Sequence, residues 1–459
     1  MLYLYNSLSK NKDLFTPINK DHIKMYVCGP TVYDYIHIGN ARPIVVFDTL
    51  YRLLSYLYPK VTYVRNITDI DDKIINRALE NNESIDELTN RTIIAFHEDI
   101  KKINALTPTY EPKATNYIYH MIQMIEDLIE SGHAYISEGH PLGKHVYFDV
   151  SSYPAYGKLS GAIQEDMLAG ARVEVEAYKK NPSDFVLWKP ANPEDNCEWD
   201  SPWGYGRPGW HIECSAMSKD LLGEQFDIHG GGKDLLFPHH ENEIAQSACC
   251  SSNINQNVAN YWIHNGFVVV YGNKMSKSLG NFITLHDTLY NHHGEVVRLT
   301  LLKSHYRQPL DFSISSIEQS KETLDKFYEF MVNTKDIEII ESKPSEDFLK
   351  ALCDDLNTHL AITILYKHLN EAKQSPNMEN KSQIMAEANM LGLLYENPEN
   401  WFSSKSVNIS EIEINELLNN RNIAKQNKNF AEADKIRNYL NNLGIIIEDT
   451  PFGSIWKIK

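Results

Sequence analysis

The chain has 459 residues, 42% of them hydrophobic and 23% charged, and a formal net charge of −17 at pH 7. That profile excludes a disordered or fibrous protein and leaves room for about two to four domains with cores of their own. The acidic sum argues against indiscriminate nucleic-acid binding. It still allows a folded RNA held on a local basic surface, because affinity depends on the charges at the contact.

From the start of the chain, no basic region followed by an apolar core is present, and the run "PIVVFDTLYRLLSYLY" carries Asp48 and Arg52 and is too short to cross a bilayer. A cytoplasmic protein with no membrane partner is expected, with its six cysteines reduced and serving as metal ligands or core fillers. From Lys24, short β-rich runs ("KMYVCG", "VTYVRNIT") alternate with helical stretches, the first from about Arg42 to Tyr58, which predicts a parallel α/β sheet. Function in such sheets sits at the carboxyl ends of the strands.

Proline, glycine and short polar runs then break the rhythm, as an insertion would, before it resumes at "FDIHGGG" and "YWIHNGFVVV". Beyond residue 312, "SSIEQSKETLDKFYEFM" and "HLAITILYKHLNEA" have the three-to-four spacing of a helical bundle. The expected units are 1–120, the first half of the sheet domain; 121–200, a connective insertion; 201–255, the second half; 256–311, a junction; 312–401, the bundle; and 402–459, a small α/β module that ends in two strands around a Pro/Gly turn.

Three stretches carry chemistry. "HIGN" (His37 to Asn40) lies where a strand-end loop runs into a helix, where Gly39 lets a ligand approach the backbone and the helix N-terminus favours phosphate; a plain loop is the alternative. "KMSKS" puts Lys274 and Lys277 on a loop flanked by Gly272 and Gly280, able to close over a polyphosphate; a lysine-rich surface turn is the dull alternative. In "HGGGKDLLFPHHENEIAQS" a helix is expected from Pro238, with His239 and Glu243 on one face, able to grip a metal; the carboxylates could equally answer the helix dipole.

"HIGN" and "KMSKS" resemble the signatures of class I aminoacyl-tRNA synthetases. With "YVCGPTVYDYIHIGN", "NITDIDDK" and "RPGWHIECSAM", the chain resembles the bacterial cysteinyl-tRNA synthetases over nearly its whole length. The resemblance implies a Rossmann-like catalytic domain with an insertion, a helical bundle and an anticodon-binding module. It implies ATP-dependent activation of L-cysteine, transfer to the terminal adenosine of tRNA(Cys), magnesium with ATP, and a monomer. Asn40 stands where the signature has a second histidine, a variant the family uses, and Tyr205 stands where a lysine is common.

The resemblance further assigns one zinc ion to Cys28, Cys214, His239 and Glu243, and Gly29, Thr31, Thr68, Trp210 and Asp234 to the cysteine pocket, Trp210 as a wall and Asp234 facing the ammonium. His37, Gly39, Asn40 and Lys277 fall to ATP, with Lys274 also in the catalytic group. Two thiolates, an imidazole and a carboxylate suit zinc, and a thiol substrate favours a catalytic ion over a structural knot, which would reject serine without editing. His240 is expected to support His239 rather than bind metal. Cys197, Cys249, Cys250 and Cys353 match no ligand pattern and are expected to pack.

In the tail, Lys425, Lys428, Lys435 and Arg437 offer cations, and Phe430 an aromatic at a position where the family has one near the anticodon; Asp434 and Asp449 are candidates for base edges, and Trp456 is expected to be buried. Three rival readings are a cysteine ligase acting on a small amine, a non-catalytic tRNA-binding relative and a zinc hydrolase. Glu243 and residues 400–459 oppose the first, intact HIGN and KMSKS the second, and the lack of an HExxH pattern the third.

Overall fold

The computed structural model describes residues 1–161, 178–192, 197–251, 253–254, 257–270, 272–274, 282–403, 411–426, 429–443, 445–450 and 453–458. A hairpin of β1 (Tyr3–Asn6) and β2 (Asn11–Leu14) leads into β3 (Ile23–Val27), α1 (Ile38–Leu57) and β4 (Val61–Arg65). β3 and β4 are buried along almost their whole length, as strands covered on both faces must be.

α2 (Asp72–Asn81), α3 (Ile85–Lys102) and α4 (Ile118–Glu130) follow, then an antiparallel sheet of β5 (Ala134–His140), β6 (Gly143–Phe148), β7 (Phe185–Pro190) and β8 (Gly206–Pro208). α5 (Trp210–Leu222) returns the chain to β9 (Phe226–Gly232), α6 (Glu241–Cys249) and β10 (Ala259–Asn265). The main sheet has the order β10-β9-β3-β4, with every pair parallel. All four strands therefore end at one edge. The chain leaves β3 toward β4 on one side and later adds β9 on the other, and that switch point opens a crevice at the carboxyl end of β3.

The expected α/β sheet with an insertion, bundle and small α/β module is the observed class. Details differ at element edges. α1 begins at Ile38, four residues before the expected start, because His37 and Asn40 cap it reciprocally: His37 Nδ1 accepts from Asn40 N–H at 3.2 Å and Asn40 Oδ1 from His37 N–H at 3.3 Å. Pro43, which resembles a first-turn proline, lies inside the helix. β8, only three residues long and rich in Gly and Pro, joins the insertion's sheet beyond residue 200, and β10 joins the main sheet beyond residue 255.

β11 (Val268–Val270) pairs with β12 (Asn273–Lys274) and, across α7 (Leu285–Asn291) and α8 (Gly294–Leu302), with β13 (Leu310–Asp311). The bundle comprises α9 (Ile314–Asn333), α10 (Glu346–Cys353), α11 (Thr358–Gln374), α12 (Met378–Met390) and α13 (Pro398–Ser403). It shares one core with α1, in which Phe47 and Leu50 join Leu299, Phe327 and Leu365. A buried polar clamp fastens the two: Arg298 on α8 pairs with Asp48 on α1 and donates to the carbonyls of Ile103 and Leu391.

The tail, α14 (Glu411–Gln426), α15 (Phe430–Asn442) and the antiparallel β14 (Ile445–Thr450) and β15 (Gly453–Ile458), has its own small core of Ile414, Leu418, Ile436, Leu440, Ile445 and Ile447. Trp456 packs half-buried against it rather than inside it. Among the described residues no helix is long and apolar enough to cross a membrane.

Candidate active site

Cys28 is the first residue past β3, at the switch point. Its Sγ lies 3.7 Å from Cys214 Sγ on α5, 3.6 Å from His239 Nε2 and 3.4 Å from Glu243 Oε1, and His239 Nε2 is 3.1 Å from Glu243 Oε1. Four donors around a zinc-sized ion, at bonds of about 2.0–2.3 Å, sit roughly 3.3–3.8 Å apart in a tetrahedron, so the spacing fits. Burial pushes the Cys28 thiol and the Glu243 carboxyl well above their ordinary pKa and His239 well below. A divalent cation is what makes two thiolates and a carboxylate tenable in such a place. Cys214, His239 and Glu243 are 1–2% exposed, whereas Cys28 is half-buried and marks the open side of the cluster.

The local chain explains the placement. Phe237 is extended (φ −140°, ψ 133°) and sets off the turn before it, while His240 and Glu241 are helical and lead without a break into α6, so the helix expected from Pro238 is borne out, with His239 and Glu243 on one face. Gly231 is required by close approach: a Cβ there would stand 2.9 Å from the His240 ring and 3.0 Å from Leu235. His239 is aimed by its far nitrogen, since Nδ1 meets His211 Nδ1 at 2.9 Å and Trp210 stacks on the ring at 4.1 Å, leaving Nε2 for a metal.

A second donor set overlaps the first: Cys28, His229, His240 and Glu243. Its His240 Nε2 is 3.9 Å from Glu243 Oε1, and it offers one thiolate instead of two, so the first set suits a soft-ligand ion better. His240 is held by a chain in which its Nδ1 meets His264 Nε2 at 2.8 Å and His264 Nδ1 meets Ser7 Oγ at 2.8 Å. His229 stacks on Trp262 at 4.2 Å, and its Nε2 is 3.4 Å from Glu243 Oε2. Burial lowers His211 and His264 to about 3, so both are neutral.

His211, His229, His264 and Asn66 escaped the reading of the sequence. Asn66 Oδ1 accepts from Gly29 N–H at 2.8 Å, and its Nδ2 donates to Thr68 Oγ1 at 3.2 Å. A signal existed: His229 and His264 each follow an isoleucine inside a predicted β-run, "FDIHGGG" and "YWIHN".

Gly29, Thr31 and Thr68 gather beside Cys28. Thr31 and Thr68 bridge in parallel, Thr68 N–H donating to Pro30 O at 3.1 Å, and a Cβ on Gly29 would meet Asn66 O at 1.6 Å. Trp210 is 36% exposed above His239, and Asp234 is exposed on the turn Lys233–Leu235 after β9. His37, Gly39 and Asn40 form the N-terminus of α1, a few residues farther along the same loop.

Lys274 ends β12, and Lys277 lies outside the described residues. The chain resumes against His37: Phe282 meets the His37 ring edge-on at 5.3 Å, Thr284 bridges His37, and Ile38 N–H donates to Ile283 O at 3.0 Å. Both described ends of the KMSKS segment thus belong to elements around α1.

The tail residues are on their own module: Lys425 half-buried on α14 and Asp434 exposed on α15. Phe430 opens α15 and Asp449 lies in β14, with their side chains outside the described set, as is Lys428 altogether. Tyr205 is exposed; Cys249 and Cys353 are buried, and Cys197 and Cys250 half-buried.

Residues 14–322 match a family model described as the class I (C) tRNA synthetase catalytic domain. The chain is 51% identical over 464 residues to a cysteine–tRNA ligase of Paramagnetospirillum magneticum, covering 99% of each. It is 52% identical over 462 residues to that of Wolbachia pipientis from Culex pipiens, covering 99% of this chain and 97% of the relative. Its fold is similar to Mycobacterium tuberculosis methionyl-tRNA synthetase in complex with methionyl-adenylate, with a TM-score of 0.58 at 12% identity over 84% of this chain and 94% of the other.

Proposed function

The chain belongs to the cysteine–tRNA ligases, a family of class I aminoacyl-tRNA synthetases, and from that premise we propose how its residues divide the work. The enzyme activates L-cysteine with ATP to cysteinyl-adenylate and transfers the cysteinyl group to the terminal adenosine of tRNA(Cys). The observation that carries the division is the donor quartet at the carboxyl end of β3, one loop away from the capped N-terminus of α1.

Cys28, Cys214, His239 and Glu243 would hold zinc. Bound there, the ion supplies a Lewis acid that prefers a sulfur donor as thiolate over a neutral hydroxyl, so serine is refused at binding and no editing site is needed. Trp210 walls the side chain, Gly29, Thr31 and Thr68 shape the pocket, and Asp234 faces the ammonium. His37, Gly39 and Asn40 seat the ATP phosphates at the N-terminus of α1, with magnesium accompanying the nucleotide. Lys274 and Lys277 meet the charge that grows on the α-phosphate as the cysteine carboxylate attacks in line.

Residues 402–459 read the anticodon arm, with Lys425 and Lys428 on phosphates, Phe430 stacking on a base, and Asp434 and Asp449 at base edges. The enzyme works as a cytoplasmic monomer. Cysteine-dependent exchange between ATP and pyrophosphate, run beside metal analysis, tests the reading. About one zinc per chain with exchange that serine does not support is expected; exchange that survives full metal removal overturns the zinc assignment, and its absence in metal-replete enzyme overturns the ligase reading.

A further inference from the structure

The loop from Cys28 to His37 has two sides. Its inner side carries Gly29 and Thr31 beside the metal cluster. Its outer side, Tyr33 to Tyr35, closes a cavity of about 140 Å3 against α2 and α3, with Arg77 and Arg91 on the facing wall. None of the roles given above to ATP, cysteine or metal uses that cavity.

Its walls are braced. Arg77 Nη2 meets Asp34 Oδ2 at 3.0 Å, which ties the loop to α2, and Arg91 Nη2 meets Glu83 Oε1 at 2.7 Å while most of its side chain stays exposed. Tyr35 is 45% exposed and stacks on His286, the ring centroids 4.2 Å apart and the planes 16° from parallel. His286 Nδ1 is in turn held by Asp99 of α3 at 3.0 Å. The tyrosine is therefore a flat ring fixed through α7 and α3, with nearly half its surface open.

An open, fixed aromatic face beside two guanidinium groups is the surface that takes an unpaired base and its phosphate; a duplex keeps its base faces covered and has no use for the ring. Position narrows the choice. The activated carboxyl must lie between Cys28 and His37, the two ends of this one loop, so a strand that delivers a ribose hydroxyl there has to cross the loop's rim. Tyr35 is two residues from His37 on that rim. We infer that the groove between Tyr33–Tyr35 and α2–α3 seats the unpaired 3′ strand of the tRNA, with Tyr35 stacking on a base and Arg77 and Arg91 facing its phosphates. The inference rests on the ligase reading and adds to it the path of the acceptor strand.

The test uses full-length, metal-replete enzyme and two transcripts of tRNA(Cys), one intact and one lacking its unpaired 3′ nucleotides. In Tyr35→Ala, cysteine-dependent pyrophosphate exchange should stay within about twofold while single-turnover transfer from bound cysteinyl-adenylate falls about tenfold, the scale of one lost base stack; Tyr35→Phe should transfer like the parent. The parent should bind the intact transcript more tightly than the trimmed one, and Tyr35→Ala and Arg91→Ala should each shrink that difference. Unchanged transfer in Tyr35→Ala overturns the proposal, as does an equal loss of affinity for both transcripts, which would mark a contact to the duplex stem. The binding arm needs no catalysis, so a chain that binds as expected yet shows no exchange would refute the ligase reading and not the groove.

Discussion

At one end of the loop between β3 and α1, four donor atoms from three separate elements lie within 4.8 Å of one another, three of the four residues almost sealed from water. At the other end, the proposed phosphate seat is one helix N-terminus capped by its own His37 and Asn40, with Lys274 at the end of β12. The first end is complete in the fold itself and is suited to choosing a substrate. The second offers backbone donors and leaves its strongest charges to a separate segment, which suits charge that exists only during the reaction. In the proposed function, selection and acceleration are thus divided along ten residues of chain.

The sharpest way to break that contrast is at the metal. Cys214→Ala should leave well under one zinc per chain and cut cysteine activation by more than about a hundredfold, the loss already typical of removing a mere outer-shell partner, with the sheet still folded by circular dichroism. A variant that keeps both metal and rate would make the cluster an ordinary core.

Next in size is the far half of α1. Asp48 is almost fully buried and accepts from Arg52, from Arg298 and from Leu106 N–H. Burial pushes its carboxyl up, but Arg298 and Arg52 outweigh this and hold it below the ordinary range, while Arg298 bears the burial penalty and is lowered. Removing one partner strands the other, so Asp48→Ala should cost about 3–5 kcal/mol in denaturant unfolding. A carboxyl depressed by folding stabilises above its unfolded pKa, near 4. That contribution should fade as pH falls below about 4 toward the lower folded value, and the Asp48 variant should lose this acid-side slope.

Lys277→Ala should lower the exchange rate by about 10²–10³ with little change in the KM for cysteine, because its charge acts in the transition state. An equal loss in both parameters would make the lysine a ground-state clamp and erase the division between the two ends. The smallest effects belong to the tail. Phe430→Ala should weaken tRNA binding by about 1–3 kcal/mol and blunt discrimination against altered anticodons. Lys428→Ala should weaken all tRNAs alike and reduce the salt slope by about 1. Filter binding at two salt concentrations separates the two.

Much of this was legible in the residues, for identifiable reasons. The parallel strands could be read because short β-rich runs alternate with helical stretches, and His239 with Glu243 because four residues make one helical face. The donor quartet was not legible from spacing alone: Cys28, Cys214 and His239 are about 190 and 25 residues apart, and only the sheet order β9-β3 brings their elements together. α1 starts four residues before the expected Arg42 because His37 and Asn40 cap it, and histidine is an uncommon cap. His229, His264 and Asn66 were passed over because their roles come from cross-strand neighbours and a loop contact, such as Trp262 opposite His229, which no local pattern encodes.

The central claim is that the substrate thiol is selected at the metal cluster. Its most direct test is the absorption spectrum of the cobalt-substituted enzyme titrated with cysteine and, separately, with serine. The account predicts a stronger sulfur-to-cobalt charge-transfer band with cysteine and no change with serine; a spectrum that stays the same at saturating cysteine would contradict it.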